Sequence, residues 1–275
     1  MAEIFTAEGM GALARLAAMP SALVFDLDGT LAPIVPNPGD ARVPEKTSAL
    51  LEALARFWPI GIITGRAAED ARQRLGFKPG YLYGNHGAER THPTNNTNNI
   101  NNTNNINNTN STGNKNEVAS SVWRTRLDAC RQHLCQYQAQ LTSRGVVVED
   151  KGLSLALHYG RGLDGWRIRA WLDHLMTPLL REVNTSHGHH VLNITPRHAP
   201  DKGDALLEII EGSRVRQALM VGDDVNDECA FEKAPPGSVT VRVGGMQAPT
   251  KARFTLSSQG QMDFLLATLL ALRKK

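Results

Sequence analysis

The feature that most constrains this chain is a pair of carboxylates placed directly after an apolar run. Asp26 and Asp28 follow the apolar residues 22–25, and Gly29 comes next. Since alternate side chains of a strand share a face, these two carboxylates would repel each other unless a cation lies between them or one is protonated. Open α/β sheets bind ligands at the carboxyl ends of their strands. The run therefore predicts a Mg²⁺ site at a sheet edge, with an exposed Asp-Gly turn as the alternative interpretation.

The composition limits the class of protein and its compartment. The 275 residues, 41% of them hydrophobic, suffice for one large domain or two small ones. A net charge of +3 without a basic, aromatic-interleaved stripe argues against nucleic acid as a partner. Three cysteines without metal-ligand spacing predict a reducing, cytoplasmic compartment. No signal-peptide pattern precedes Arg15 and the apolar run 264–272 is too short to cross a bilayer, so we expect no membrane partner.

Apolar runs and helical periodicity alternate along most of the chain. Strands are predicted at the apolar runs 22–25, 60–63, 80–83, 218–221 and 239–243. Helices are predicted between them, so the strands should form a parallel sheet with right-handed crossovers. The predicted fold class is α/β, with a doubly wound, mostly parallel, Rossmann-like core. This core is divided into residues 1–87 and 197–275.

The intervening residues 88–196 predict an inserted α+β cap domain. Helices are expected over residues 122–141 and 166–183, and strands over the apolar runs near residues 146–157 and over 188–195. Residues 95–116 are rich in Asn and contain a repeated hexapeptide, so they cannot bury a core. We expect this insertion to be a disordered loop.

Polar residues follow the predicted core strands at what should be one sheet edge. Thr64 follows the second strand, and Lys202 begins a predicted helix. Carboxylates follow two further strands at Asp26, Asp28, Asp223, Asp224 and Asp227. Phosphoryl transfer needs a nucleophile, a cation and hydrogen-bond donors for the phosphoryl oxygens. A carboxylate nucleophile would form an aspartyl phosphate, and a neighbouring carboxyl group could serve as the acid and base.

The order of these motifs resembles that of the haloacid dehalogenase superfamily. The matching segments are residues 26–30, Thr64, Lys202 and residues 222–227. The resemblance implies that Asp26 is the nucleophile and a metal ligand. It also implies that Asp28 is the acid and base and binds Mg²⁺ through its backbone carbonyl.

Further site residues are implied by the same resemblance. Thr64 and Lys202 would hold the phosphoryl oxygens. Asp223 would be the main additional Mg²⁺ ligand, and Asp227 would bind the metal directly or through water. The implied cofactor is therefore Mg²⁺, held by carboxylates from two separate motifs.

Other segments resemble the trehalose-6-phosphate phosphatases more narrowly. These segments are residues 28–34, 84–89, 149–159 and 201–203. The resemblance implies a phosphatase that hydrolyses the sugar phosphate trehalose 6-phosphate. Asn85 from the core, with Glu149 and Lys151 from the cap, would contact sugar hydroxyls.

One segment departs from the pattern of that family. Asn193 stands where an acidic sugar contact is expected, and Thr195 replaces an Arg before Pro196. Asn can bond hydroxyls without the stronger charge-assisted hydrogen bond. The alternatives that remain are a phosphatase for another sugar phosphate, a phosphomutase, and a non-catalytic sugar-phosphate sensor. Protein partners are not determined by the sequence.

Overall fold

The protein was analysed as a computed structural model. The structure describes residues 2–91, 111–160, 165–188, 190–244 and 249–273, with side chains described from residue 121 in the helix that begins at Ser111. These residues fall into two compact units, formed by residues 1–91 with 200–275 and by residues 92–199. Each unit has its own sheet.

The strands and helices of the described residues are numbered in chain order. The strands are β1 (Ala2–Glu3), β2 (Ser21–Phe25), β3 (Ile60–Ile63), β4 (Tyr81–Gly84), β5 (Glu89–Thr91), β6 (Val147–Asp150), β7 (Leu155–His158), β8 (Val183–Gly188), β9 (Val191–Pro196), β10 (Gln217–Gly222), β11 (Val239–Val243) and β12 (Phe254–Leu256). The α-helices are α1 (Ala7–Ala18), α2 (Glu45–Leu54), α3 (Ala68–Arg72), α4 (Ser111–Gln136), α5 (Gln138–Ser143), α6 (Gly165–Met176), α7 (Lys202–Gly212), α8 (Glu228–Lys233) and α9 (Met262–Arg273).

The first unit contains an eight-stranded sheet in the order β1-β12-β11-β10-β2-β3-β4-β5. Its strands pair in parallel except for β5, which runs antiparallel to β4. β10 and β3 flank β2, so three strands that are distant in the chain end side by side at the centre of the sheet. This arrangement confirms the predicted doubly wound α/β fold.

Both faces of this sheet are covered by helices. Leu23 and Phe25 of β2 belong to an apolar core that includes buried residues of α1, α2 and α9. Ala22 and Val24 point the other way, into a core shared with α7 and α8. Fully burying a side chain such as Leu23 contributes roughly 1.5–3 kcal/mol. Burial on both faces explains why β2 is a continuous apolar run rather than an alternating one.

The second unit contains a four-stranded antiparallel sheet in the order β6-β7-β9-β8. Leu155 and Leu157 of β7 and Leu192 of β9 pack into a core with α4 and α6. The intervening residues Ala156 and Asn193 lie opposite each other on the other face. The unit therefore has the α+β character that the sequence predicts.

Several element boundaries differ from the sequence predictions. The predicted helix over 166–183 ends at Met176, because Val183 begins strand β8 and pairs with Pro196. Helix α4 begins at Ser111, within the Asn-rich segment 95–116. The remainder of that segment lies outside the described residues. Within the described ranges, no helix combines the length and apolarity needed to cross a membrane.

Candidate phosphoryl-transfer site

The carboxyl ends of three adjacent strands place polar residues at one edge of the first unit's sheet. Asp26 follows β2 directly, and its backbone N–H donates to Val221 of β10 at 2.9 Å. Thr64 follows the neighbouring strand β3, and Asp223 follows β10. The parallel register of β10, β2 and β3 brings these strand ends to the same edge. The strand order therefore brings these polar residues to one edge of the sheet, as the sequence predicts.

Three carboxylates form a compact cluster at this edge. Asp26, Asp223 and Asp227 each offer one oxygen, and these oxygens lie within 4.8 Å of one another. Asp26 is 5% exposed and Asp227 is fully buried. Mg²⁺ prefers a few carboxylate oxygens and retained waters. The donor set therefore fits the predicted cation.

Lys202 lies against the same carboxylates. Its Nζ donates to Oδ1 of Asp26 and to Oδ1 of Asp227, each at 2.7 Å. The ammonium group is almost fully buried and therefore requires such partners. Asp201 fixes the backbone here, because its side chain caps α7 by accepting from the N–H groups of Gly203 and Asp204. The cap sets Lys202 in the first turn of the helix.

Burial and mutual repulsion perturb these ionisable groups. Desolvation, joined by the charges of Asp227 and Asp223, raises the pKa of Asp26 against the opposing effect of Lys202. Burial and the Asp227 charge raise the pKa of Asp223 to about 7. Burial alone would lower the pKa of Lys202, but Asp227 and Asp26 outweigh it and raise that pKa. Excess negative charge at this point is the condition that favours a bound cation.

Close backbone packing supports the cluster. Thr30 donates its hydroxyl to Oδ1 of Asp223 at 2.8 Å. Gly29 has a φ of +82°, and an added Cβ there would overlap the Asp223 carboxylate. Glycine is therefore needed for both the turn and the close approach of the two loops.

The acidic residues Asp224 and Asp227 in the loop after β10 have different hydrogen-bond partners. The Asp224 carboxylate accepts hydrogen bonds from the backbone N–H of Val225 at 2.8 Å and from Nδ2 of Asn226 at 3.1 Å. Asp227 accepts the Asp224 backbone N–H at 2.9 Å and belongs to the carboxylate cluster. Asp224 thus caps the turn, and Asp227 is the acidic residue of this loop that lies with Asp26 and Asp223.

The Asp28 carboxylate has a different environment. Arg66 donates from Nε to Oδ2 at 2.6 Å and from Nη2 to Oδ1 at 2.7 Å. The carboxylate therefore faces a bidentate guanidinium, which is compatible with metal binding through the Asp28 backbone carbonyl. Sequence reasoning assigned no role to Arg66. Its position two residues after Thr64, at a strand end already predicted to face the site, was the available signal.

Asn85 lies at the carboxyl end of β4 and is almost completely buried. Its Nδ2 donates to Oε2 of Glu89 at 2.7 Å, and the same oxygen accepts the Ala68 backbone N–H at 2.8 Å. The Asn85 backbone N–H donates to the carbonyl of Arg66 at 2.7 Å. Asn85 thus ties the β4 loop to the β3 loop, and its predicted sugar contact stays a prediction. The hydrogen bond between Asn85 and Glu89 was not predicted from the sequence.

The predicted sugar-contacting residues of the second unit lie on and next to β6. Glu149 is within that strand, and its Oε2 lies 2.8 Å from His158 Nε2. Lys151 Nζ lies 3.7 Å from the same oxygen. Glu149 pairs with Ala156, which pairs in turn with Asn193. Directly opposed residues share a face, so Glu149 and Asn193 lie in one row of this sheet.

The matching family model and the curated relatives described below point to one family. The Trehalose-phosphatase family matches residues 24–260. The trehalose-phosphate phosphatase of Mycobacterium bovis (strain BCG / Pasteur 1173P2) is 30% identical over 267 residues, covering 93% of this chain and 62% of that protein. That of Mycobacterium leprae (strain TN) is 31% identical over 236 residues, covering 81% of this chain and 50% of that protein. The chain thus spans less than two thirds of the length of these curated relatives.

Solved structures have the same fold. The C-terminal domain of C. albicans trehalose-6-phosphate phosphatase aligns with a TM-score of 0.71 at 20% identity, covering 94% of this chain and 95% of that chain. A trehalose-6-phosphate phosphatase related protein aligns with a TM-score of 0.65 at 22% identity, covering 92% and 100%. The sucrose-phosphatase of Synechocystis sp. PCC6803 aligns with a TM-score of 0.59 at 17% identity, covering 91% and 98%.

These similarities and the carboxylate edge define the class: a haloacid dehalogenase-type α/β fold with an inserted cap. Within that class, the chain belongs to the trehalose-phosphatase family.

Proposed function

We propose that this chain is a Mg²⁺-dependent phosphatase that hydrolyses trehalose 6-phosphate to trehalose and phosphate. The observation that carries the proposal is the buried cluster of Asp26, Asp223 and Asp227 with Lys202, at the sheet edge of a chain in this family. The cluster supplies a carboxylate nucleophile, an ammonium and a cation-binding donor set at one place. These are the groups that phosphoryl transfer requires.

The reaction has two steps. In the first, a carboxylate oxygen of Asp26 bonds to phosphorus while the bond from phosphorus to the sugar oxygen breaks. The Asp28 carboxyl group gives its proton to the departing sugar oxygen. In the second, a water oxygen bonds to phosphorus and its proton passes to the Asp28 carboxylate. The bond from phosphorus to Asp26 then breaks, which releases phosphate and restores both side chains.

The remaining site residues hold the phosphoryl group. Thr64 and Lys202 are the proposed donors to its oxygens, and the Lys202 hydrogen bond also orients Asp26. Mg²⁺, held by the carboxylates of Asp26, Asp223 and Asp227 and the backbone carbonyl of Asp28, would neutralise phosphoryl charge when bound. The proton transfers and the covalent step are carried by the chain's own carboxyl groups.

Asn85, Glu149 and Lys151 are the proposed contacts to sugar hydroxyls. In the second unit, Glu149 is a half-exposed carboxylate. The described cysteines are free thiols, which supports a reducing, cytoplasmic compartment.

A phosphatase for another sugar phosphate is the second candidate. It is favoured by Asn193, which lies in the same sheet row as Glu149 where the family pattern has an acidic residue. An amide at this position forms weaker hydrogen bonds to hydroxyls than a carboxylate does. A different sugar could therefore fit this face better than trehalose.

The deciding experiment is phosphate release with and without Mg²⁺ from four substrates. These are trehalose 6-phosphate, glucose 6-phosphate, sucrose 6-phosphate and mannosyl-3-phosphoglycerate. Mg²⁺-dependent preference for trehalose 6-phosphate supports the first candidate, and preference for another member supports the second. Isomerised sugar phosphate would indicate a phosphomutase, whereas binding without phosphate release would indicate a sensor.

A further inference from the structure

The starting observation is the alternation of side chains at the end of strand β6. Asp150 lies in the chain between Glu149 and Lys151, the two proposed sugar contacts of the second unit. Since successive side chains of a strand point to opposite faces, Asp150 faces away from Glu149 and shares a face with Val148. Val148 packs against the apolar core that includes α4. Asp150 therefore lies on the helix side of the sheet, behind Glu149.

Asp150 is held there by an arginine of α4. Arg131 donates from Nε to Oδ2 of Asp150 at 2.7 Å and from Nη2 to Oδ1 at 2.9 Å. The same Nη2 donates to the carbonyl of Gly152 at 3.2 Å, and Nη1 donates to Oδ1 of Asp128 at 2.7 Å. Most exposed ion pairs contribute little, but a bidentate pair within a network is the arrangement that does contribute. The hydrogen bond from Arg131 lowers the pKa of Asp150, so the pair is ionic at neutral pH.

These contacts fix the turn that follows β6. Asp150 Oδ1 accepts the Gly152 N–H at 2.8 Å, and the Lys151 N–H donates to the carbonyl of Ser154 at 3.0 Å. Gly152 has a φ of +81°, and no described atom lies within 4 Å of the place that a Cβ would take. A glycine in open space has wide conformational freedom unless hydrogen bonds restrict it. Arg131 supplies that restriction, because it holds the residues on both sides of Lys151.

We propose that Arg131 is a positioning residue for sugar binding, which holds the turn of residues 149–152 so that Glu149 and Lys151 are pre-organised for the sugar. This inference rests on the proposed function. In this scheme Arg131 acts through Asp150 and Gly152 and not by touching the sugar. Without Arg131, binding would include the cost of ordering the turn, which raises KM and leaves kcat unchanged.

The test separates sugar binding from phosphoryl chemistry. We expect Arg131→Met to raise KM for trehalose 6-phosphate by about fivefold, with kcat within about twofold of wild type. Trehalose, which lacks the phosphoryl group, should weaken as a competitive inhibitor by the same factor. Hydrolysis of p-nitrophenyl phosphate, which lacks the sugar, should be unchanged. A merely structural role would lower the free energy of unfolding without moving KM or the inhibition constant of trehalose.

Three further variants make the result specific. Asp150→Asn keeps an acceptor for the Gly152 N–H but loses the ionic fork, so KM should rise by about threefold. The double variant of Arg131→Met and Asp150→Asn should stay near fivefold and not reach about 15-fold, because both changes remove one contact. Arg126→Met is the matched control on α4. The Arg126 side chain is 28% exposed, against 29% for Arg131, and lies 3.7 Å from Glu182. This control should match wild type on every substrate.

Hydrogen exchange of the backbone amides tests the held turn without any substrate. Arg131→Met should speed exchange at Lys151 and Gly152 by about threefold or more, because local opening of the turn becomes easier. Arg126→Met should leave both rates unchanged. If Arg131→Met does not fold by circular dichroism, Asp150→Asn carries the kinetic and exchange measurements.

The outcomes separate this inference from the proposed function. An unchanged KM for trehalose 6-phosphate, an equal loss with p-nitrophenyl phosphate or unchanged amide exchange would overturn the positioning role. Additive effects in the double variant, or an equal rise in KM in Arg126→Met, would overturn it as well. The wild-type chain tests the function by itself, before any variant is made. A wild-type chain that releases phosphate from no sugar phosphate would overturn the proposed function, and the inference with it.

Discussion

The two units differ in how far their proposed functional side chains are exposed. In the first, Asp26, Asp227 and Lys202 are each at most 5% exposed, and Lys202 donates to both carboxylates. In the second, the side chains of Glu149 and His158 are 49% and 38% exposed. Breaking a buried pair costs about 3–5 kcal/mol, because the remaining charge is left uncompensated. An exposed pair contributes about 0–1 kcal/mol.

The residues proposed for phosphoryl transfer therefore differ from Glu149, proposed to bind sugar, in how much they contribute to stability. The residues proposed for phosphoryl transfer are also structural, so replacing one of them affects stability as well as activity. Glu149, the half-exposed carboxylate proposed to bind sugar, contributes little to folding, so it can change with the substrate at small cost. Asn193, which departs from the family pattern, lies in the second unit rather than at the carboxylate cluster.

The strongest test of the comparison is Asp26→Asn. The amide cannot form the aspartyl phosphate, so we expect phosphate release to fall by about 10⁴-fold or more. Lys202 keeps its bond to Asp227, and the chain should remain folded by circular dichroism. Asp128→Asn, at an exposed carboxylate of the second unit, is the matched control and should retain activity. Retained hydrolysis in Asp26→Asn would refute the nucleophile assignment.

The next largest effect is expected for Lys202→Met. This change leaves two buried carboxylates without their ammonium partner, so the free energy of unfolding should fall by about 3–5 kcal/mol. Urea unfolding followed by circular dichroism measures it. Lys46→Met removes an exposed lysine that lies 3.3 Å from Asp263, and it should cost at most about 1 kcal/mol. Equal costs for the two variants would contradict the proposed difference between buried and exposed pairs.

Glu149→Gln tests the role of the exposed carboxylate in the second unit. Loss of one charge-assisted hydrogen bond to a sugar hydroxyl weakens binding by about 1.5 kcal/mol, or roughly tenfold in KM for trehalose 6-phosphate. The free energy of unfolding should change by less than about 0.5 kcal/mol. Hydrolysis of p-nitrophenyl phosphate, which has no sugar, is the control and should be unchanged. An unchanged KM for trehalose 6-phosphate would remove Glu149 from the sugar site.

The smallest expected effect is the pH dependence of stabilisation by Mg²⁺. The pKa of Asp223 is raised to about 7 by burial first and by Asp227 second. A raised carboxyl pKa favours the folded state at acidic pH, and this contribution is lost as the pH rises from about 4 through 7. Mg²⁺ needs the ionised carboxylate, so it should stabilise the protein by about 1 kcal/mol more at pH 8 than at pH 5.5. Melting temperatures with and without Mg²⁺ measure this, and equal shifts at both pH values would contradict it.

Much of the fold could be predicted from local pattern. Buried parallel strands such as β2 and β10 appear in the sequence as short apolar runs, because both of their faces are covered. The edge strands β1 and β5 are short and have no apolar run, and β1 depends on a partner far along the chain, β12. The predicted helix over 166–183 included Val183, the first residue of strand β8, since the pairing of β8 with β9 outweighs local propensity.

The sequence by itself determined the strand ends that carry Asp26, Thr64 and Asp223, because an apolar run followed by polar residues and glycine must leave the core at that point. Only the tertiary structure decided which of these groups bond to one another. Lys202 donates to Asp26, 176 positions away, and to Asp227, 25 positions away. Arg66 donates to Asp28 across 38 positions. Hydrogen bonds need donor and acceptor within about 3 Å, and the packing of the sheet alone sets such distances between residues so far apart in the chain.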